Sequence, residues 1–215
     1  MKADILSNFQ EVFKFCQPQR ICEIGTHDGK SATQFCDYLL NYVGVEKLYY
    51  KGYDAFDLAS DQTHKVEVNG KGSGSLAKAT SRLNAHLNKY PKRFEYQLVK
   101  GWTQDTLQEE AFDFVYIDGG HSYDTVKFDY SKVKDSKVIV FDDYQEPTVA
   151  QFIDELLAEL NFPKYDLQSA LEADHSCWAF LNDKPKTFKI TKKGEWLMKN
   201  GKKPWHIQPV IFNRS

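Results

Sequence analysis

The sequence predicts an α/β domain: a doubly wound, mostly parallel seven-stranded sheet with helices on both faces. Three observations carry that expectation. Short apolar runs of strand length alternate with segments of helical period from Arg20 to Leu181. Several of the runs end in glycine-bearing or acidic loops, where open α/β sheets bind ligands. The chain has 215 residues, 41% of them hydrophobic, enough to bury one core without disulfides or a structural metal. The expected organisation is therefore a single domain over 1–215, with an N-terminal helix over 1–15 and a C-terminal arm or hairpin over 182–215.

The elements follow from local pattern. Ile5, Phe9, Val12 and Phe13 recur at helical spacing, so the first helix is amphipathic and covers a face of the domain. Arg20 to Ile24 reads as a strand, Gly25 to Gly29 as a glycine-bearing loop, and Ser31 to about Tyr42 as a helix. The pattern then repeats. Lys47 to Tyr53 is a strand, Leu76 to Tyr90 a helix, Phe94 to Val99 a strand, and Phe112 to Ile117 the most apolar strand. Ser122 to about Val133 is a helix, Val138 to Phe141 a strand, Thr148 to Leu160 a helix and Ser176 to Leu181 a strand. Between the second strand and its helix, Gln62 to Ser75 is polar and carries Gly70, Gly72 and Gly74. That segment reads either as a flexible connection or as a lid over a ligand. The aromatic-bearing tail beyond Asn182 reads as an arm, a substrate wall or a dimer contact.

Bulk charge excludes little but directs the reading. A net charge of -2 gives no overall pull toward nucleic acid or an anionic membrane, and the Lys-rich stretch from Lys184 to Lys203 reads as a solvated surface. Cys16, Cys22, Cys36 and Cys177 are too irregularly spaced for a zinc site and read as free thiols. No apolar run approaches the ~20 residues of a membrane helix, and the N-terminus lacks a signal-peptide pattern, so the cytoplasm is the expected location.

Three blocks carry chemistry. In Glu23-Ile24-Gly25-Thr26-His27-Asp28-Gly29 the glycines allow close backbone approach between a strand and a helix. Glu23 stands where a dinucleotide fold would start G-x-G-x-x-G. A carboxylate there repels a pyrophosphate, which argues against a nicotinamide-dependent oxidoreductase, and suits a ligand with a cationic centre and an ammonium group. Asp54, in Tyr53-Asp54-Ala55-Phe56, ends the second strand and is placed either to accept hydrogen bonds from two ribose hydroxyls or to cap a turn. In the second block, Asp118-Gly119-Gly120-His121-Ser122-Tyr123 follows the most apolar strand. His121 is suited to proton removal near neutrality. In the third, Asp142-Asp143-Tyr144 ends the next strand. Asp118, Asp142 and Asp143 form an oxygen-rich set suited to a hard cation such as Mg²⁺, or else the latter two cap a helix or pair with lysines. Trp102 reads as the wall of an adenine site, with Gln104 or backbone atoms left to read the adenine amino group.

The first block resembles the S-adenosylmethionine-binding motif of class I methyltransferases, and the D-G-x-H-x-Y and D-D-Y blocks are similar to those of the macrocin-type sugar O-methyltransferases. The resemblance runs from roughly Ile21 to Tyr144 and departs from the pattern at Val133 to Lys137, where a Gly-Gly is usual. It implies a Rossmann-like sheet and S-adenosylmethionine as cofactor. Gly25, Thr26, His27 and Gly29 would line its methionine end with Glu23 steering the amino group directly or through water, and Asp54, Ala55, Phe56, Trp102 and Asp118 would line the rest. It further implies O-methylation of a sugar or other small-molecule hydroxyl, with His121 and Asp118 catalytic and Mg²⁺ held by Asp118, Asp142 and Asp143 in metal-dependent members. A homodimer is compatible with this reading. The alternative is a noncatalytic S-adenosylmethionine- or RNA-binding module.

Overall fold

The computed structural model describes residues 5–60, 67, 72–160, 175–181, 188–190, 196–198 and 207–213. Helix α1 (Ile5–Cys16) leads into β1 (Arg20–Ile24), α2 (Lys30–Tyr38), β2 (Leu48–Asp54), α3 (Leu76–Lys89) and β3 (Phe94–Lys100). A single turn, α4 (Thr103–Thr106), precedes β4 (Phe114–Ile117), α5 (Tyr123–Val133), β5 (Val138–Phe141) and α6 (Pro147–Leu160). Four strands follow: β6 (His175–Leu181), β7 (Phe188–Ile190), β8 (Trp196–Met198) and β9 (Ile207–Asn213). Side chains start two of the helices. Ser75 accepts from the Lys78 amide at the head of α3, and Ser122 accepts from the Thr125 amide at the head of α5.

The sheet runs β3-β2-β1-β4-β5-β9-β6, with the first five strands parallel and β9 antiparallel to both β5 and β6. This is the expected α/β, mostly parallel architecture. The expected C-terminal arm or hairpin divides: β7 and β8 pair as a small antiparallel ladder, whereas β9 is a strand of the main sheet. Its Val210, Ile211 and Phe212 are fully buried, and apolar residues on both sides of one strand fit a sheet covered on two faces. The helix expected to reach Tyr42 ends at Tyr38 and widens into a π turn over Leu39–Val43, closed by Gly44 at φ 80°. The loop expected over 62–75 lies outside the described residues except for Glu67 and 72–75.

Strand alternation divides the core in two. On one face Ile21, Tyr50, Phe114, Tyr116 and Val140 pack against Phe9 and Phe13 of α1 and Phe35 of α2. On the other, Cys22, Ile24, Val115, Ile117 and Phe141 pack against Val126 of α5 and Phe152 and Ile153 of α6. Rigid layers on both faces fix where the strands end. In the last rungs Ile24 pairs with Tyr53 and Ile117, and Ile117 pairs with Phe141. One step beyond, the amides of Gly25, Asp118 and Asp142 donate to the carbonyls of Tyr53, Ile24 and Ile117 at 2.8, 2.8 and 2.9 Å. All three sequence blocks thus emerge at one level, at the point where the strand order reverses between β1 and β4.

Candidate active site

A cavity of about 620 Å³ opens at that level, within the range of cofactor sites. Gly25 and His27 from the β1 loop, Asp54, Ala55 and Phe56 from β2, Trp102 and Thr103 beyond β3, and Asp118 to His121 beyond β4 line it. Gly25 has φ 95°, and a Cβ added there would lie 1.9 Å from the Asp118 carbonyl oxygen, so only glycine lets the two loops meet. Asp54 accepts from the His27 amide at 2.7 Å and the Phe56 amide at 2.5 Å, one on each carboxylate oxygen. Each oxygen keeps a lone pair for a further donor. Burial pushes the Asp54 carboxyl above its ordinary value, with the two amides pulling the other way. The donors come from strained backbone: His27 has φ 51° and Phe56 φ 49°. A left-handed phenylalanine costs on the order of 1 kcal/mol or more, held here by a fully buried ring.

The other half of the site joins the β4 and β5 loops. His121 and Asp143 are paired, Nε2 to Oδ2 at 2.8 Å, and both are nearly buried. His121 Nδ1 is buried without a hydrogen-bond partner. Asp143 also stands at a positive φ of 54° and accepts from Gln145 Nε2 at 2.5 Å. Asp142 accepts from Tyr116 Oη at 2.6 Å and from Gln208 Nε2 at 3.0 Å. Oxygens of Asp118, Asp142 and Asp143 lie within 4.8 Å of one another. A small void of about 10 Å³ lies beside His121 and these aspartates, with Ile117, Val126, Phe141 and Val149 also lining it. Behind the loop, Asp129 is fully buried, and neither of its oxygens has a hydrogen bond of normal geometry. Burial pushes it up to about 7, against the opposing pull of the neighbouring Thr103 side chain.

The sequence profile described as a methyltransferase domain matches residues 22–144, the stretch that supplies every one of these loops. The chain belongs to the methyltransferase-domain family. No curated protein matches it in sequence. Solved methyltransferases share its fold. The O-methyltransferase NovP is 14% identical with a TM-score of 0.56, over 97% of this chain and 80% of that one. The calicheamicin methyltransferase CalS11 is 18% identical with a TM-score of 0.55, over 75% and 73%. An O-methyltransferase from Bacillus cereus, solved in complex with SAH, is 17% identical with a TM-score of 0.52, over 99% and 84%.

In this methyltransferase domain the expected cofactor residues divide. Gly25, His27, Asp54, Ala55, Phe56, Trp102 and Asp118 all line the cavity. Glu23, Thr26 and Gly29 are not among the lining residues. Strand alternation turns Glu23 toward the face of Ile21, where its carboxylate takes hydrogen bonds from Ser31 and from Tyr50 Oη. Tyr50 Oη also meets Thr26 Oγ1 at 3.2 Å, so Glu23 braces the glycine loop from beneath. Burial pushes its carboxyl up to about 7, with the two hydroxyls opposing. Gly29 stands at the head of α2, at φ 72°. Among wall or support residues not singled out are Glu67, from the polar segment, Thr103 and Thr125, and Gln208 from β9. Gln208 alone left a signal, a polar side chain beside the apolar Val210-Ile211-Phe212.

Proposed function

We propose that this protein transfers a methyl group from S-adenosylmethionine to the hydroxyl oxygen of a small acceptor, with sugar hydroxyls as the leading class. The observation that carries the proposal is one cavity whose walls run from the Asp54 carboxylate and glycine loop to the His121–Asp143 pair. When bound, the cofactor supplies an electrophilic methyl on a sulfonium, displaced in line by the acceptor oxygen. The chain does the rest. Gly25 admits the ligand close to the backbone, Asp54 accepts from ribose hydroxyls, and Trp102 closes the adenine side. Asp143 accepts from His121 Nε2 and holds the imidazole; His121 takes the acceptor's hydroxyl proton, and Asp143 stabilises the charge that results. The descriptions of NovP and of the Bacillus cereus protein as O-methyltransferases support oxygen as the nucleophile.

The Asp118, Asp142 and Asp143 oxygens, within 4.8 Å of one another, make the oxygen-rich donor set that a hard divalent cation takes. Those three residues would hold Mg²⁺, which would lower the pKa of a bound hydroxyl. Calorimetric titration with S-adenosylhomocysteine, with and without Mg²⁺, tests the cofactor site. Wild type binds, and Asp54→Ala binds about tenfold or more weakly, as loss of charge-assisted hydrogen bonds requires. Absence of binding in every condition would remove this reading and the noncatalytic cofactor-binding alternative together. Methyl transfer to an accepted hydroxyl should fall about 100-fold or more in His121→Ala with S-adenosylhomocysteine affinity retained. Unchanged turnover would take the base role from His121.

A further inference from the structure

Three carboxylate residues line the cavity among the described residues: Asp54, Asp118 and Glu67. Asp54 serves the ribose end and Asp118 the acceptor end. Glu67 sits against the backbone of Gly120, His121 and Ser122. Its Oε2 accepts from the Ser122 amide at 3.1 Å, its Oε1 meets Thr125 Oγ1 at 3.5 Å, and its backbone carbonyl accepts from the His121 amide at 2.8 Å. Gln104 Nε2 donates to the same Thr125 hydroxyl at 3.3 Å. Glu67, Gln104 and Thr125 therefore form one polar cluster on the Trp102 side of the cavity. The carboxylate has a seat made for it. A Cβ added to Gly120 would come 2.6 Å from Glu67 Oε2, so the second glycine of Asp118-Gly119-Gly120-His121 leaves the space that Glu67 fills.

We propose that Glu67 reads the 6-amino group of the cofactor's purine and makes this cavity selective for adenine over 6-oxo purines. The inference rests on the S-adenosylmethionine reading above. An adenine lying between Trp102 and the Gly119-Gly120 backbone needs an acceptor for its exocyclic N–H donors, and a carboxylate held by the Ser122 amide and the Thr125 hydroxyl supplies a charge-assisted one. A 6-oxo purine turns lone pairs toward that carboxylate instead, leaving both groups unsatisfied and mutually repelled. Gln104 complements the carboxylate with a donor for a ring nitrogen.

The test compares S-adenosylhomocysteine with its deaminated 6-oxo analogue, S-inosylhomocysteine, by calorimetry on wild type and Glu67→Gln. Wild type should prefer the 6-amino ligand by about tenfold or more. In Glu67→Gln the ratio should collapse toward unity, because a carboxamide can rotate to offer a donor to the 6-oxo group. Wild type that binds both ligands equally overturns the inference, as does Glu67→Gln that keeps the wild-type ratio; either result leaves the cofactor reading standing. Wild type that binds neither ligand defeats the cofactor reading and this inference with it. A Glu67→Gln protein that does not fold leaves the wild-type ratio as the deciding measurement.

Discussion

At the scale of single residues, the site depends on carboxylates whose neighbours are chosen for them. Asp54 and Asp143 are fed by backbone amides and side-chain donors, while Glu23 is buried among two hydroxyls and pushed up to about 7. A raised folded-state value means that the folded chain holds its proton more tightly than the unfolded chain. The cost of ionising Glu23 is then absent below its ordinary value of about 4.5, grows as pH rises, and is complete above about 7. Glu23→Gln removes that cost but can still accept from one hydroxyl. Its melting temperature relative to wild type should climb between about pH 5 and about pH 8. A difference that stays flat across this interval would show that Glu23 ionises as an ordinary carboxylate. The same residue shows how far sequence reasoning reaches. Position and charge marked Glu23 as belonging to the site, but the period-two geometry of β1 turns its side chain beneath the loop, where Tyr50 Oη donates to it.

At the scale of elements, β9 links the sheet to the chemistry. Gln208 is 1% exposed and donates to Asp142 from a strand that joins β5 antiparallel. Replacing it with leucine leaves Tyr116 as the remaining hydrogen-bond donor to Asp142 named in this site. Gln208→Leu should lower kcat about tenfold while S-adenosylhomocysteine affinity stays within about twofold, the behaviour of a residue that orients another one. Parallel kinetics and titration check this, and loss of binding together with rate would mean that the strand itself had been disturbed. The parallel strands, and the helices between them, were legible from apolar period alone, because strands buried on both faces read as continuous apolar runs. β9 was not placed, because period identifies a strand but says nothing about its neighbours. Glu67 was hidden for a related reason: a glutamate in a polar segment carries no signal until folding brings it against Gly120.

At the scale of the whole molecule, two cores on opposite faces of one sheet hold five loops at a common level, so the site inherits its rigidity from packing far from it. The ordered blocks from Glu23 to Tyr144 made the class of protein readable, since strand ends that are distant in sequence are neighbours by topology. The acceptor is not legible in the same way, because its contacts do not fall on the strand-end pattern. The insertion of β9 between β5 and β6 also bears on how the protein is made. During synthesis β5 emerges with one edge unpaired, and it stays so until residues 207–213 arrive from much later in the chain. An apolar, flat strand edge is an invitation to pair with another molecule. The nascent chain is thus most vulnerable to aggregation in the interval between those two strands, when the walls of its catalytic cleft are already encoded but its sheet is still open.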